Sequence, residues 1–149
     1  MRLATGSELE AAGRLLHDFN HEFGEPAPEA AWLARRLSEL VAAGDTEVLL
    51  AATPPHGVAV LRFRPALFTP GLECYLAELY VEPDHRGHGS GRALMEAALT
   101  RARARGADYI ELNTDEGDDA AIALYESLGF HSGHGSRGHP GSFYYEREL

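Results

Sequence analysis

Apolar side chains recur three and four positions apart in four segments of the chain, a spacing that places them on one face of an α-helix. In the first segment these positions include Leu9, Leu16 and Phe23. Gly44 follows the second segment and Gly129 the fourth, and glycine is the residue that most often ends a helix. The pattern predicts four helices, over about residues 8–23, 28–43, 91–105 and 119–128.

The residues before three of these segments favour the start of a helix. Ser7 and Glu10 form a capping-box pattern, in which each side chain bonds to a free amide of the first turn. Pro28 is suited to the first turn of the second helix. Asp118 or Asp119 is suited to cap the fourth helix.

Runs of apolar and β-branched residues between the helices predict strands. These runs cover residues 2–4, 46–52, 58–64, 74–81, 108–113 and 142–149. Residues 131–141, which are rich in glycine and histidine, are predicted to form a loop. Short connections predict antiparallel pairing of the second, third and fourth strands. The crossover through the third helix predicts that the fourth and fifth strands are parallel.

The length of 149 residues fits a single domain, over residues 1–149. No stretch approaches the roughly 18 apolar residues that span a bilayer. No apolar run follows the first residues, as it would in a secretory signal. The one cysteine, Cys74, favours a reducing compartment. We therefore expect a cytoplasmic protein without a membrane partner.

The formal net charge is −10, and all thirteen basic residues are arginine. This acidic balance disfavours nucleic acid as a partner and favours a cationic substrate. No metal site is predicted, because the histidines match no ligand spacing. The histidines considered were His85, His88, His131, His134 and His139.

A glycine-rich segment after the fourth strand is the strongest candidate for chemistry. Gly87, Gly89 and Gly91 permit positive φ angles and a close approach of a ligand to the main chain. The helix that follows adds free amides and the positive end of its dipole, which suits phosphate. Arg86 and Arg92 add positive charge. The segment therefore predicts a site for a phosphate-containing ligand.

The pattern Arg86-x-x-Gly89-x-Gly91 resembles the acyl-CoA signature of the GCN5-related N-acetyltransferase (GNAT) superfamily. Residues 121–130, AIALYESLGF, are similar to a second signature of that superfamily, in the right order and at a plausible distance. The resemblance covers the C-terminal half of the chain. It implies an α/β (α+β) GNAT fold, with a central mixed, twisted sheet of six to seven strands flanked by four helices. The fourth and fifth strands would be parallel and splayed.

The resemblance also implies acetyl-CoA as co-substrate, without a metal. Its pantetheine arm would pair with the main chain of Leu79, Tyr80 and Val81. Asp118 stands where the family often has an asparagine that contacts the CoA arm; a carboxylate there would repel phosphate, so this contact stays open. The loop residues expected to hold the diphosphate are Arg86, Gly87, His88, Gly89, Ser90, Gly91 and Arg92.

Two side chains are candidates for proton transfer. Attack of an amine on a thioester expels a thiolate, whose thiol has a pKa of about 8.5, and a phenol can protonate or stabilise it. Tyr125 matches the family's tyrosine for this role, although its apolar neighbours also suit a core residue. Glu78 interrupts an apolar strand and is the candidate base, directly or through water. Glu73 is its weaker rival.

The resemblance places the acceptor pocket at the first two helices. His17, Asn20 and His21 lie on the polar side of the first helix and are candidate acceptor ligands. The expected reaction is direct transfer of an acetyl group from acetyl-CoA to the primary amine of a small cationic or polar acceptor. A homodimer is the assembly that the resemblance suggests. The alternative is a non-catalytic acyl-CoA-binding regulatory module on the same fold.

Overall fold

The computed structural model describes residues 1–132 and 142–149 of the protein. This part of the chain contains four α-helices, seven strands and a short 3-10 turn at Pro83–His85. In chain order the elements are β1 (Arg2–Leu3), α1 (Glu8–Glu22), α2 (Ala30–Ala43), β2 (Thr46–Ala51), β3 (Gly57–Pro65), β4 (Leu72–Val81), α3 (Ser90–Ala104), β5 (Ala107–Asp115), α4 (Asp119–Ser127), β6 (His131–Ser132) and β7 (Ser142–Glu148).

The described strands form one mixed sheet in the order β1-β2-β3-β4-β5-β7-β6. Strands β1 to β4 pair antiparallel, and β4 and β5 are parallel. These pairings and the four flanking helices confirm the predicted fold. The prediction of a loop was wrong at His131 and Ser132, which form β6 and pair with β7. Two residues are too few to show the alternation that marks a strand in a sequence.

The parallel pair separates halfway along its length. Pairing between β4 and β5 ends at Tyr75 and Glu111, whereas β4 continues to Val81 and β5 to Asp115. The second half of β4 therefore has main-chain groups on its β5 side that form no ladder with β5. This opening confirms the predicted splay of the two strands.

A β-bulge lies in β4 beside this opening. Val60 pairs with Glu78 and Leu61 with Leu76, so Ala77 is an extra residue on β4. Leu76 and Leu79 pack against the same core cluster, although an odd number of positions separates them. The bulge therefore interrupts the alternation of side chains and re-aims the neighbouring Glu78.

The helices cover the two faces of the sheet and bury two apolar clusters. Leu94 and Met95 of α3 are fully buried in the first cluster, with α4 on the same face. Leu15 of α1 and Leu37 of α2 are buried in the second. Cys74 is buried within β4, and burial raises the pKa of its thiol to about 12. No helix in the described part of the chain has both the length and the hydropathy needed to cross a membrane.

Two predicted helix starts were wrong in detail. Ser7 has helical angles, and its side chain makes no capping hydrogen bond. The amide of Glu10, which the Ser7 side chain was expected to cap, bonds instead to the carbonyl of Ser7 in a backbone turn. Helix α2 begins at Ala30, so Pro28 lies before it. The cause is the extended backbone of Glu29, with a ψ of 151°.

The predicted end of α4 is confirmed as a Schellman motif. Gly129 has a φ of 86°, and its amide bonds to the carbonyl of Glu126. The amide of Phe130 bonds to the carbonyl of Tyr125, and the centroids of these two rings lie 5.9 Å apart. This motif satisfies the free carbonyls of the last turn. It also fixes the ring of Tyr125 against the core.

Candidate functional site

Two of the three glycines of the loop have the positive φ angles that the sequence allows, and the third, Gly91, lies within α3. Gly87 and Gly89 have φ angles of 79° and 87°, and Gly89 is the N-cap of α3. A Cβ built on either glycine would meet no atom within 4 Å. These glycines are therefore required by the backbone angle, and the space beside them is open to a ligand.

A cavity of about 680 Å³, here called the loop cavity, joins this loop to the free side of β4. All the predicted CoA-binding residues line it, except His88. It therefore combines the loop, the main chain of Leu79 to Val81 at the strand opening and the start of α4. An elongated ligand with a phosphate group at one end matches this arrangement.

The two arginines predicted for the loop cavity already have partners within the protein. Arg86 donates from Nη2 to Glu22 Oε1 at 2.9 Å and from Nε to the Val81 carbonyl at 2.8 Å. Arg92 donates from Nη2 to Ser127 Oγ at 2.7 Å. Arg86 therefore ties the loop to the ends of α1 and β4, and Arg92 ties α3 to α4.

A second cavity of about 440 Å³, here called the strand cavity, lies beside the bulge. Glu78 and Tyr125, the two predicted proton-transfer residues, both line it, as does Asn20 of α1. The side-chain amide of Asn20 donates to the Leu16 carbonyl at 3.1 Å. His17 and His21 are not part of this lining. The fold thus brings one of the three predicted acceptor ligands to the predicted catalytic pair.

Tyr125 is both a core residue and a cavity residue. Its side chain is 6% exposed and packs within the first cluster, as the alternative interpretation of the sequence expected. Burial, and secondarily the nearby charge of Asp118, raise the pKa of the phenol. The hydroxyl group is therefore protonated at neutral pH and available as a donor.

Burial raises the pKa of the Glu78 carboxyl group above its usual range. The residue is nevertheless exposed, because the strand cavity is open to solvent. The shift thus reflects protein atoms that crowd the carboxyl on the cavity wall, with no cation among its causes. A raised pKa makes a carboxylate a better proton acceptor.

Glu73, the rival base, lies in a different place. It lines a separate cavity of about 530 Å³ and forms an ion pair with Arg64 and a hydrogen bond with Tyr109. It does not line the strand cavity with Tyr125. Its contacts hold its charge at the opposite end of β4 from the opening.

The loop cavity and the strand cavity share a wall. Phe19, Phe23, Leu79, Asp115 and Asp118 line both of them. Two aromatic rings and a leucine therefore stand between the phosphate-binding loop and the predicted catalytic pair. A ligand that lies along β4 can present its end to the second cavity across this wall.

The strand cavity is strongly acidic. Glu25, Glu78, Asp115 and Asp118 contribute to its lining, and the described residues contribute no arginine or histidine to it. Asp118 also has a structural role, since its Oδ1 accepts a hydrogen bond from the Ala121 amide at 3.1 Å and caps α4. This confirms the predicted cap.

The sequence did not predict the contacts of several residues near the site. Glu22 bonds to Arg86, 64 positions away, and to the hydroxyl of Tyr80 at 3.1 Å. His56 bonds to Ser90, 34 positions away. No local spacing in the sequence reports contacts between such distant residues.

Within residues 1–132 and 142–149, no three side chains of histidine, cysteine, aspartate or glutamate form a group that could hold a metal ion. His134 and His139 lie outside the described residues. The absence of a metal from the reaction stays a prediction.

Comparison with protein families identifies the class. The model of the Acetyltransferase (GNAT) family matches residues 10–130. The chain therefore belongs to the GNAT acetyltransferase family, as its two signatures, its sheet and its split parallel strands indicate.

Individual proteins add detail to this similarity. A crystal structure assigned as an acetyltransferase from Arthrobacter sp. FB24 is 45% identical, with a TM-score of 0.83, over 99% of this chain and 94% of that one. Mycothiol acetyltransferase of Thermobispora bispora is 48% identical over 63 residues, which cover 40% of this chain and 21% of that protein. The [ribosomal protein bS18]-alanine N-acetyltransferase of Escherichia coli (strain K12) is 43% identical over 58 residues, 39% of each chain. The matches to these two curated relatives span well under half of their lengths.

Proposed function

We propose that the protein is an N-acetyltransferase that transfers an acetyl group from acetyl-CoA directly to the primary amine of a small cationic acceptor. The observation that carries this proposal is the wall shared by the loop cavity and the strand cavity. One cavity has a glycine loop and a free strand edge for the donor. The other has the predicted base and acid for the transfer.

In this reaction the donor's diphosphate binds to the loop amides, and its pantetheine arm follows the free edge of β4. The acceptor's ammonium loses a proton to the Glu78 carboxylate, directly or through a water molecule. The amine nitrogen then attacks the thioester carbon, the carbon–sulfur bond breaks, and the thiolate leaves with a hydrogen bond from the Tyr125 hydroxyl. The second proton, which the nitrogen loses as it becomes an amide, passes to the thiolate through that hydroxyl, so the products are the amide and the neutral CoA thiol. A neutral phenol is the form that this step needs.

The charge of the strand cavity favours a cationic acceptor. Its carboxylates would hold a second positive group of the acceptor once the reacting amine is neutral. The names of the two curated relatives refer to a small thiol and to a ribosomal protein. They therefore leave the acceptor open between a small molecule and a protein N-terminus. The cytoplasmic location and the homodimer stay predictions.

Release of CoA thiol in the presence of acetyl-CoA and a panel of amines tests this proposal. The panel contains monoamines, diamines, aminoglycosides, neutral amino acids and a peptide N-terminus. We expect the highest kcat/KM with multiply charged small amines. A preference for the peptide would overturn the choice of acceptor. Binding of CoA without release by any amine would favour the non-catalytic module.

The Tyr125→Phe variant tests the catalytic assignment. Loss of the hydroxyl group should lower kcat by about 100-fold, the usual effect of a general acid, with little change in the KM for acetyl-CoA. Tyr145→Phe is the matched control. Its ring lies in the same core, and its hydroxyl bonds to Glu126 at 3.0 Å, away from the strand cavity. Equal activity of the two variants would contradict the role of Tyr125.

A further inference from the structure

The turn between β2 and β3 reaches the glycine-rich loop through His56. The Nε2 atom of His56 lies 2.9 Å from the Oγ atom of Ser90, the first residue of α3. Ser90 lines the loop cavity, whereas His56 does not. The imidazole therefore lies outside the cavity lining and contacts it through Ser90.

The position of His56 is fixed by contacts other than the one to Ser90. Its ring stacks on His85, with centroids 4.2 Å apart and planes 8° from parallel. Its amide donates to the Ala51 carbonyl at 3.0 Å, and its carbonyl accepts from the Glu82 amide at 2.9 Å. A short polar side chain such as that of Ser90 has several rotamers. In this pair, His56 is the fixed member and the serine hydroxyl is the member that is held.

The protonation of His56 decides what the serine hydroxyl can do. Burial lowers the pKa of His56, and the neighbouring His85 and His88 lower it further, against the opposite effect of Glu82. At neutral pH the ring therefore carries one proton. The tautomer that carries this proton on Nε2 donates to Ser90 Oγ and leaves the hydroxyl proton free, whereas the other tautomer would accept that proton. Ser90 Oγ has no other hydrogen-bond partner among the described residues.

We infer that His56 is a positioning residue for the diphosphate of the acyl-CoA donor. It holds Ser90 so that the serine hydroxyl donates a hydrogen bond to a phosphate oxygen in the loop cavity. This inference rests on the proposed function, because the ligand is the acetyl-CoA of that reaction. It assigns a role to a turn that is remote in sequence from the glycine loop.

Two substitutions of His56 separate the hydrogen bond from the shape of the side chain. The amide nitrogen of glutamine can reach the place of Nε2, whereas that of asparagine corresponds to Nδ1 and cannot reach Ser90. Titration calorimetry with CoA should therefore give His56→Asn a Kd about tenfold higher than the wild type, the usual value of a hydrogen bond to a charged group. His56→Gln should bind CoA almost as the wild type does.

A double-mutant cycle tests whether His56 acts through Ser90. Ser90→Ala should raise the Kd by a similar factor. His56→Asn should cause no further loss when it is combined with Ser90→Ala. In the wild-type background the effect should appear in the KM for acetyl-CoA, with kcat unchanged. His131→Asn, at an exposed residue of β6, is the control and should leave the Kd unchanged.

Three results would overturn the inference. They are a wild-type Kd for His56→Asn, an equal loss for His56→Gln, and a full further loss in the Ser90→Ala background. If His56→Asn fails to fold, as judged by its melting temperature, a wild-type Kd for Ser90→Ala overturns the inference alone. Failure of the wild-type protein to bind CoA would instead refute the proposed function, and the inference with it.

Discussion

At the scale of single residues, Glu78 shows how one extra position changes the chemistry of a strand. In the sequence it is a charged residue within an apolar run, which made it a candidate base. The bulge at Ala77 explains how the strand accommodates that charge, because it re-aims Glu78 toward the strand cavity. There the carboxyl group is close to the opening of the sheet and retains contact with solvent.

The pH dependence of the reaction follows from the raised pKa of Glu78. A general base must be deprotonated, so kcat/KM, which reports the pKa values of the free enzyme, should rise with pH through that pKa, and this limb should lie above the usual carboxyl range of about 4.3. Glu78→Gln should lower kcat/KM by about 100-fold and remove the limb. The measurement is kcat/KM between pH 4 and 8 for both proteins.

Glu73→Gln is the matched control for this profile, since Glu73 belongs to the same strand and lies outside the strand cavity. It should keep the acidic limb. An unchanged profile in Glu78→Gln would mean that water or another group takes the proton.

The candidate site shows which residue roles a sequence can reveal. Glu78 and Tyr125 became candidates because each stands out in a local pattern or a family signature, and both line the strand cavity. The ion pair of Arg86 was not predicted, because its partner Glu22 belongs to α1 and precedes it by 64 positions in the sequence. That ion pair is exposed, so its contribution to stability is small. The ion pair instead helps to hold the glycine-rich loop in position.

At the scale of secondary structure, the elements whose ends depend on local chemistry were predicted most accurately. Gly44 ends α2 with a φ of 92°, and Asp118 caps α4 through its own carboxylate. The position at which α1 starts was predicted correctly, but the capping bond of Ser7 was not, because backbone carbonyls satisfy the amides that its side chain was expected to cap. Sequence patterns report which groups can cap a helix; they do not report which of them the tertiary structure leaves free.

The contact between α1 and α2 depends on one glycine. A Cβ on Gly13 would lie 2.6 Å from the Ala30 carbonyl oxygen and 2.8 Å from the Ala34 amide nitrogen. Both atoms belong to the backbone and cannot move without moving α2. Gly13→Ala should therefore lower the free energy of unfolding by about 1–3 kcal/mol, the usual cost of overpacking. Chemical denaturation measures this change.

Gly91→Ala is the matched control for Gly13→Ala. It also replaces a helical glycine, but its Cβ would lie 3.6 Å from the Cδ2 atom of Leu124, which is an ordinary van der Waals contact. Alanine favours the helix by about 0.5–1 kcal/mol, so this variant should be slightly more stable. Equal stability changes in the two variants would show that α1 and α2 can separate without cost. Phe19 and Asn20 of α1 line the strand cavity, so the same contact supports the site.

At the scale of the whole molecule, the order of the strands sets the geometry of the site. The crossover through α3 makes β4 and β5 parallel neighbours near the middle of the sheet. Because their pairing stops at Tyr75 and Glu111, the opening lies where α1, α4 and the glycine loop meet. The parallel pair could be predicted from the order of elements alone. The extent of the opening depends on the bulge in β4. The sequence shows this bulge only as a broken alternation at Ala77, which is recognisable once the two core clusters are known.

The charge of the molecule opposes the approach of its proposed donor. The chain has a formal net charge of −10, and acetyl-CoA is a polyanion. The charge of Arg86 is paired with that of Glu22, whereas Arg92 bonds to the uncharged Ser127, so the loop offsets only a small part of the net negative charge. Long-range repulsion should therefore slow association at low salt and be screened as the Debye length falls from about 30 Å at 0.01 M to about 8 Å at 0.15 M. We expect the association rate constant of CoA, measured by stopped flow, to rise severalfold over this range.

A charge variant separates this effect from local changes at the loop. Glu39→Lys on the outer part of α2 makes the net charge less negative by two units and leaves both cavities unaltered. It should increase the association rate constant at 0.01 M salt and have almost no effect at 0.15 M, because screening then hides a distant charge. A wild-type rate constant that falls with added salt would show that attraction at the loop outweighs the long-range repulsion. In that case the field of Arg86 and Arg92 would dominate the encounter, and the net charge of the molecule would not.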